Sequence, residues 1–218
     1  MTNKDLIFNL LMKKTNNNLI GVCALMGNIQ AECSFRANDV ESAKSKAQGW
    51  SDESYTEAVD NGTYSADEFF HDKYGYGLCQ LTWWERKKKL YDFCKSRNKS
   101  IGDLETQIDF ICEEIKKYTT PYKALFTKDW GDLDKCTRTI MLKYEAPANQ
   151  TETNQKKRVG YAQQIYNEYS KKNNISDTKT VKNVTTNVTT NDAETVYLTK
   201  AVKRYATALN SLQGINSY

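Results

Sequence analysis

Apolar residues recur at helical spacing along most of the first 170 residues. Asp5 to Lys14 has the pattern of an amphipathic first helix, and Asn17 or Asn18 supplies an N-cap for the apolar run Leu19-Ile-Gly-Val-Cys-Ala-Leu-Met-Gly-Asn-Ile29. That second helix carries hydrophobes on every side, so it is expected to run through the middle of the domain. From Arg36 to Lys73 the periodicity gives way to Asn, Asp, Ser, Gly and scattered aromatics, with short helices expected near Ser54–Val59 and Ser65–Phe70. A segment of that length without periodicity is usually functional or mobile.

Helical spacing returns after Thr82. Trp83, Leu90, Tyr91 and Cys94 fit one face of a helix ending near Arg97, and Leu104, Ile108, Ile111, Ile115 and Tyr118 fit the next. Pro121 opens a new segment. Leu133, Cys136, Ile140 and Tyr144 mark a helix that stops before Pro147, and Val159, Ala162, Ile165, Tyr166 and Tyr169 mark the last one of the domain. Strand signals are nearly absent, so the expected fold is all-α, with room for one small β-hairpin in the irregular segment.

Past residue 170 the composition changes. Residues 171–195 are rich in Thr and Asn and read as a linker, while Val196, Leu198, Val202, Tyr205, Leu209 and Leu212 place a short amphipathic helix in 196–218. The expected organisation is therefore a domain over 1–170, a linker over 171–195 and a C-terminal helix too small to fold alone.

Charge and cysteine content narrow the chemistry. A net charge of +4, with 31 basic residues interspersed among 27 acidic ones, suits an anionic polymer without choosing between nucleic acid and bacterial wall. The basic run Glu85-Arg-Lys-Lys-Lys89 reads as a solvated helix face, so no nucleic-acid partner is expected. Six cysteines lack any Cys-x-x-Cys pairing and His71 is the sole histidine; buried reduced thiols are expected, with no metal and no cofactor. The N-terminus has neither the apolar core nor the small-residue cleavage site of a signal peptide, and no stretch reaches the roughly 18 to 20 apolar residues of a membrane span.

Glu32 is the first chemical candidate. It closes the apolar helix in Gly27-Asn-Ile-Gln-Ala-Glu32-Cys-Ser-Phe35, where desolvation favours a protonated carboxylic acid suited to general acid work. Further along stands Gly75-Tyr-Gly-Leu-Cys-Gln-Leu-Thr-Trp83. Glu32-Cys-Ser-Phe followed by Gly77-Leu-Cys-Gln80 resembles the pattern of soluble lytic transglycosylases and goose-type lysozymes. The run from Gly21 to about Tyr169, with Tyr144-Glu-Ala-Pro147 and then Arg158, resembles the phage tail lysozyme family more closely. Two positions depart from that pattern, Cys33 after the glutamate and Leu81 after the glutamine.

The resemblance implies a lysozyme-like fold and a peptidoglycan-degrading activity on the bond between N-acetylmuramic acid and N-acetylglucosamine. Glu32 would be the general acid, and Gly77, Leu78, Gln80, Tyr76, Tyr144 and Glu145 would line the sugar cleft. Among Tyr74, Tyr76, Trp83 and Tyr144 as stacking candidates, Tyr76 and Tyr144 are favoured, and Trp84 is assigned to packing. Asp39, Glu41, Asp67, Glu68 and Asp72 are open candidates for a second carboxylate, which becomes dispensable if the substrate's own 6-hydroxyl attacks. Implied partners are peptidoglycan strands and, through the C-terminal helix, phage tail or other virion proteins; the implied location is the virion tail, or the host cytoplasm before release to the wall. The alternative is a non-catalytic peptidoglycan-binding or tail structural module on the same fold.

Overall fold

Helix caps set the frame of the first two helices. In this computed structural model, which describes residues 1–41 and 49–172, Thr2 and Asp5 form a reciprocal capping box that starts α1 (Asn3–Lys14). Asn18 starts α2 (Leu19–Cys33): its Oδ1 accepts from Gly21 N–H at 3.3 Å, while its Nδ2 donates to Leu125 O at 2.9 Å. The same amide therefore caps α2 and ties it to the later helix that carries Leu125. Ser34 and Phe35 then adopt successive left-handed conformations, φ 51° and 68°, so α2 ends abruptly and Glu32 sits in its last turn.

The remaining described elements are α3 (Asp52–Asn61), α4 (Ala66–His71), α5 (Trp84–Lys95), α6 (Leu104–Ile115), α7 (Thr119–Phe126), α8 (Leu133–Ile140), a π-helical turn (Met141–Glu145) and α9 (Glu152–Lys172). These residues are all-α, as the patterning predicts, and they lie within one compact unit, Met1–Ser176. In place of the expected hairpin, the described residues hold one antiparallel bridge, between Val40 and Tyr76, flanked by Glu41 N–H to Gly75 O at 2.8 Å and Gly77 N–H to Asp39 O at 2.9 Å. The linker and C-terminal helix expected past residue 172 lie outside the described residues, and Lys171 and Lys172 belong to α9.

Helix α2 is the central element. It packs against α1, α7, α8 and α9, and Val22, Leu25, Met26 and Ile29 are wholly buried. Each such side chain contributes about 1.5–3 kcal/mol by leaving water. Gly27 makes the α2–α9 approach possible, because a Cβ there would come within 2.7 Å of the Ala162 backbone nitrogen and 2.8 Å of Arg158 O. The close approach brings Arg158 up to the end of α2.

A second cluster packs behind the irregular segment. Tyr55, Phe69, Tyr74 and Tyr76 pack ring against ring, with centroid separations from Tyr55 of 5.6–6.2 Å. Lys87 lies beneath Phe69 and donates to Asp72 at 2.5 Å and to Tyr74 O at 3.2 Å, fully buried. The basic run at 85–89 is thus not a uniform solvated face: Lys87 is a core cation, held because Asp72 and a backbone carbonyl satisfy it. All six cysteines are buried and unpaired, and burial pushes the Cys23, Cys33, Cys94 and Cys112 thiols up to about 12.

Candidate functional site

Three segments converge on one cleft of about 690 Å³: the last turn of α2, the loop from Gly75 to Trp83 with the start of α5, and the π-helical turn with Ala146 and Pro147. Of the residues named from sequence, Glu32, Gln80, Tyr144 and Glu145 line it, together with Glu41, Trp83, Arg86, Tyr118 and Lys143. The two separated sequence motifs do meet in space.

Glu32 is held by an arginine. Arg158 Nη2 donates to Glu32 Oε1 at 2.5 Å, and Arg158 Nη1 donates to Asn28 Oδ1 at 3.2 Å. Asn28, one turn before Glu32, is fixed in turn by donating to Ala24 O at 2.9 Å and to Thr137 O at 3.2 Å. A chain of hydrogen bonds, from a backbone carbonyl of α8 through Asn28 of α2 to Arg158 of α9, therefore positions the Glu32 carboxyl. From the sequence, Arg158 is visible only as the end of a motif; its pairing depends on the α2–α9 approach at Gly27.

Glu145 is the buried acid of the cleft. It is 8% exposed, both carboxyl oxygens are buried without a hydrogen-bond partner, and burial followed by repulsion from Glu32 raises its pKa to about 8, against the opposing pull of Arg86 and Arg158. Its orientation comes from the π turn, where five residues continue α8 with one extra residue per turn and so rotate Tyr144 and Glu145 toward the cleft. Ala146, left-handed at φ 46°, closes that turn by donating to Met141 O at 2.8 Å, and Pro147 follows.

Tyr144 is anchored rather than free to stack. Its hydroxyl donates to Glu114 Oε2 at 3.0 Å, Arg86 lies over its ring at 4.9 Å, and Arg86 grips Glu114 with Nη2 at 2.7 Å. Arg86 thereby gives the cleft a cation whose position is locked from behind.

The Gly-Leu-Cys-Gln segment builds the cleft from beneath. Gly77 adopts φ 76°, and a Cβ there would meet Gln107 Oε1 at 2.7 Å; that same oxygen accepts from Leu78 N–H at 2.9 Å. Gln107 donates to Ala37 O and Ile101 O, both at 2.6 Å, so one buried amide supports the whole loop. The Cys33 thiol lies 3.6 Å from Leu78 O, joining the loop to the end of α2. Gln80 spends its amide nitrogen on Asp39 O, Asp39 Oδ2 and Gly77 O at 3.0–3.1 Å, which leaves Oε1 to accept from a ligand.

Several expectations are corrected. Tyr76 is 0% exposed with its hydroxyl 2.7 Å from Thr56, so it packs in the aromatic cluster and does not face the cleft. Gly77 and Leu78 are likewise absent from the cleft surface and act as its support. Trp83, placed by periodicity on a buried helical face, is 60% exposed at the rim, and Trp84, assigned to packing, is 42% exposed with one face against His71. Among the five acids of the irregular segment, Glu41 lines the cleft and its Oε2 accepts from Gly75 N–H at 3.3 Å. Asp39 pairs with Arg36, Asp72 with Lys87, Glu68 caps α4, and Asp67 lies at the surface beside His71.

No group of metal-binding side chains occurs among the described residues, and no helix among them is long and apolar enough to cross a membrane. A search of curated proteins returns no match to the chain. Against protein families, residues 2–169 match the phage tail lysozyme family, from the capping threonine of α1 to the tyrosine near the end of α9, and the chain belongs to that family.

Proposed function

We propose that this protein is a peptidoglycan-degrading glycosidase that cleaves between N-acetylmuramic acid and N-acetylglucosamine, with Glu32 as the general acid. The observation that carries this reading is the pairing of two carboxyl groups in one cleft, one positioned by Arg158 and one buried without a partner. The cleft volume also falls in the range of about 300–1,000 Å³ usual for ligand sites.

Burial, with repulsion from Glu32, raises the pKa of the Glu145 carboxyl to about 8, so Glu145 keeps its proton near neutral pH. Glu32, the general acid of this reading, delivers a proton to the glycosidic oxygen as the bond to the anomeric carbon breaks. The developing oxocarbenium ion is then captured by water, giving a hydrolase, or by the substrate's own 6-hydroxyl, giving an anhydro sugar with no net uptake of water. Glu41 is the further carboxylate on the cleft surface, suited to activate the water. The Gln80 Oε1 acceptor suits an acetamido N–H, and the exposed rings of Trp83 and Tyr118 offer stacking surfaces.

Residues 173–218 would join this domain to a phage tail or another virion protein, or accompany an endolysin to the wall. Purified Gram-positive sacculi provide the test. The protein clears a sacculus suspension, and Glu32→Gln does not; binding to sacculi without clearing by the parent protein would favour a non-catalytic wall-binding module instead.

A further inference from the structure

Beside the catalytic cleft lies a second hollow of about 460 Å³, walled by Phe70, His71, Lys73, Thr82, Trp83 and Trp84. Thr82 and Trp83 line both spaces, so the two are continuous across that rim. We propose that this hollow is a further saccharide subsite, which holds a sugar ring of the same glycan strand against the tryptophan pair as the strand leaves the cleft. The inference rests on the glycosidase reading and assigns the strand a path.

The tryptophans are presented on a fixed support. Trp83 is the N-cap of α5, and its carbonyl accepts from Arg86 N–H and Lys87 N–H, both at 3.0 Å. Those two residues are themselves locked, Arg86 on Glu114 and Lys87 on Asp72. Trp84 stacks on His71 at 5.9 Å and 17°. An indole so held loses little entropy on meeting a ligand, which is the requirement for a binding platform.

Exposure supplies the second argument. Trp83 and Trp84 keep 60% and 42% of their surface in water, although each apolar Å² so exposed forgoes roughly 25 cal/mol of burial. Two adjacent exposed indoles beside a cleft mark a contact site. The occupant that matches is a pyranose ring: its C–H face is apolar and polarised toward an aromatic π face, while its hydroxyl and acetamido edges remain hydrated. Among the described residues no carboxylate lines the hollow, and Lys73 at its wall can donate to those edges.

The full chain carrying Glu32→Gln is titrated with peptide-free glycan strands of four and of eight sugars, read by calorimetry and tryptophan fluorescence. The eight-sugar strand binds about tenfold tighter, the size expected for one well-formed stacking contact. Trp84→Ala in that background loses most of this length advantage with affinity for the four-sugar strand retained, and Trp83→Phe keeps the advantage. Equal affinity for the two lengths, an advantage untouched by Trp84→Ala, or no binding of either strand overturns the subsite. Self-association of the chain abolished by Trp84→Ala, without a length effect, also overturns it and makes the hollow a contact between copies. Failure of the underlying reading is seen separately, as parent protein that leaves the eight-sugar strand uncut.

Discussion

Arg158 and Glu32, 126 residues apart in sequence, meet through a 2.5 Å hydrogen bond at the end of the central helix. The arginine is buried and its second nitrogen is committed to Asn28. Removing it strands a carboxyl in the site, and the loss of one partner of a buried pair costs about 3–5 kcal/mol. Arg158→Ala should therefore lower the thermal midpoint and reduce sacculus-clearing activity by about 100-fold, the scale of a misplaced reactive group. Arg158→Lys should recover little activity, since one ammonium cannot reproduce the fork that reaches both Asn28 and Glu32.

Glu145 makes stability and activity depend on pH in a stated direction. Its pKa rises on folding from 4.5 to about 8, so between those values the native state binds more protons than the unfolded chain and stability falls as pH rises. Glu145→Gln should flatten that fall in a denaturant series from pH 5 to 9. The same substitution removes the carboxyl that gives up its proton near pH 8, so an alkaline limb of the rate profile at that pH should disappear, and a limb left in place would show that Glu145 does not set it.

Gly27 tests how the site is assembled. Adding a methyl group there places it 2.7 Å from Ala162 and 2.8 Å from Arg158 O, so α9 must shift. Gly27→Ala should cost about 1–3 kcal/mol, the usual range for overpacking. Activity should fall further than that loss of folded protein explains, because the shift carries Arg158 away from Glu32.

The buried Lys87–Asp72 pair supports the loop that carries Trp83. Lys87→Ala leaves the Asp72 carboxylate without its cation, and a loss of about 3–5 kcal/mol is expected in urea unfolding. Replacing both, Lys87→Met with Asp72→Asn, should restore part of it, since no unpaired charge then remains.

The helices and the catalytic candidate were readable because their signals are local. Leu19 to Ile29 is apolar on every side and α2 is central; Glu32 follows at its end, and the Gly75–Trp83 motif does converge on it. What escaped the sequence depends on tertiary register. Trp83 fits a helical apolar stripe, yet it is the cap residue before α5 and faces outward. Tyr76 sits in the motif but points into the aromatic cluster, because the bridge to Val40 fixes its side. Lys87 lies in a run of charges, and only the fold brings Asp72 beneath it. Gln107 bears no motif at all; its role arises from three backbone groups that happen to surround it. Glu145 was visible as a motif position, whereas its burial comes from the π turn, which leaves no periodic trace.

If Glu32 donates the proton that breaks the muramic acid–glucosamine bond, the ends of the released fragments must show it, and mass spectrometry of fragments from purified sacculi reads those ends. The parent protein should release muropeptides ending in N-acetylmuramic acid, as the reducing sugar if water attacks or one water lighter if the 6-hydroxyl does, and Glu32→Gln should release none. Fragments ending in reducing N-acetylglucosamine, fragments cut only in the peptide stems, or release by Glu32→Gln at the parent rate would contradict the account.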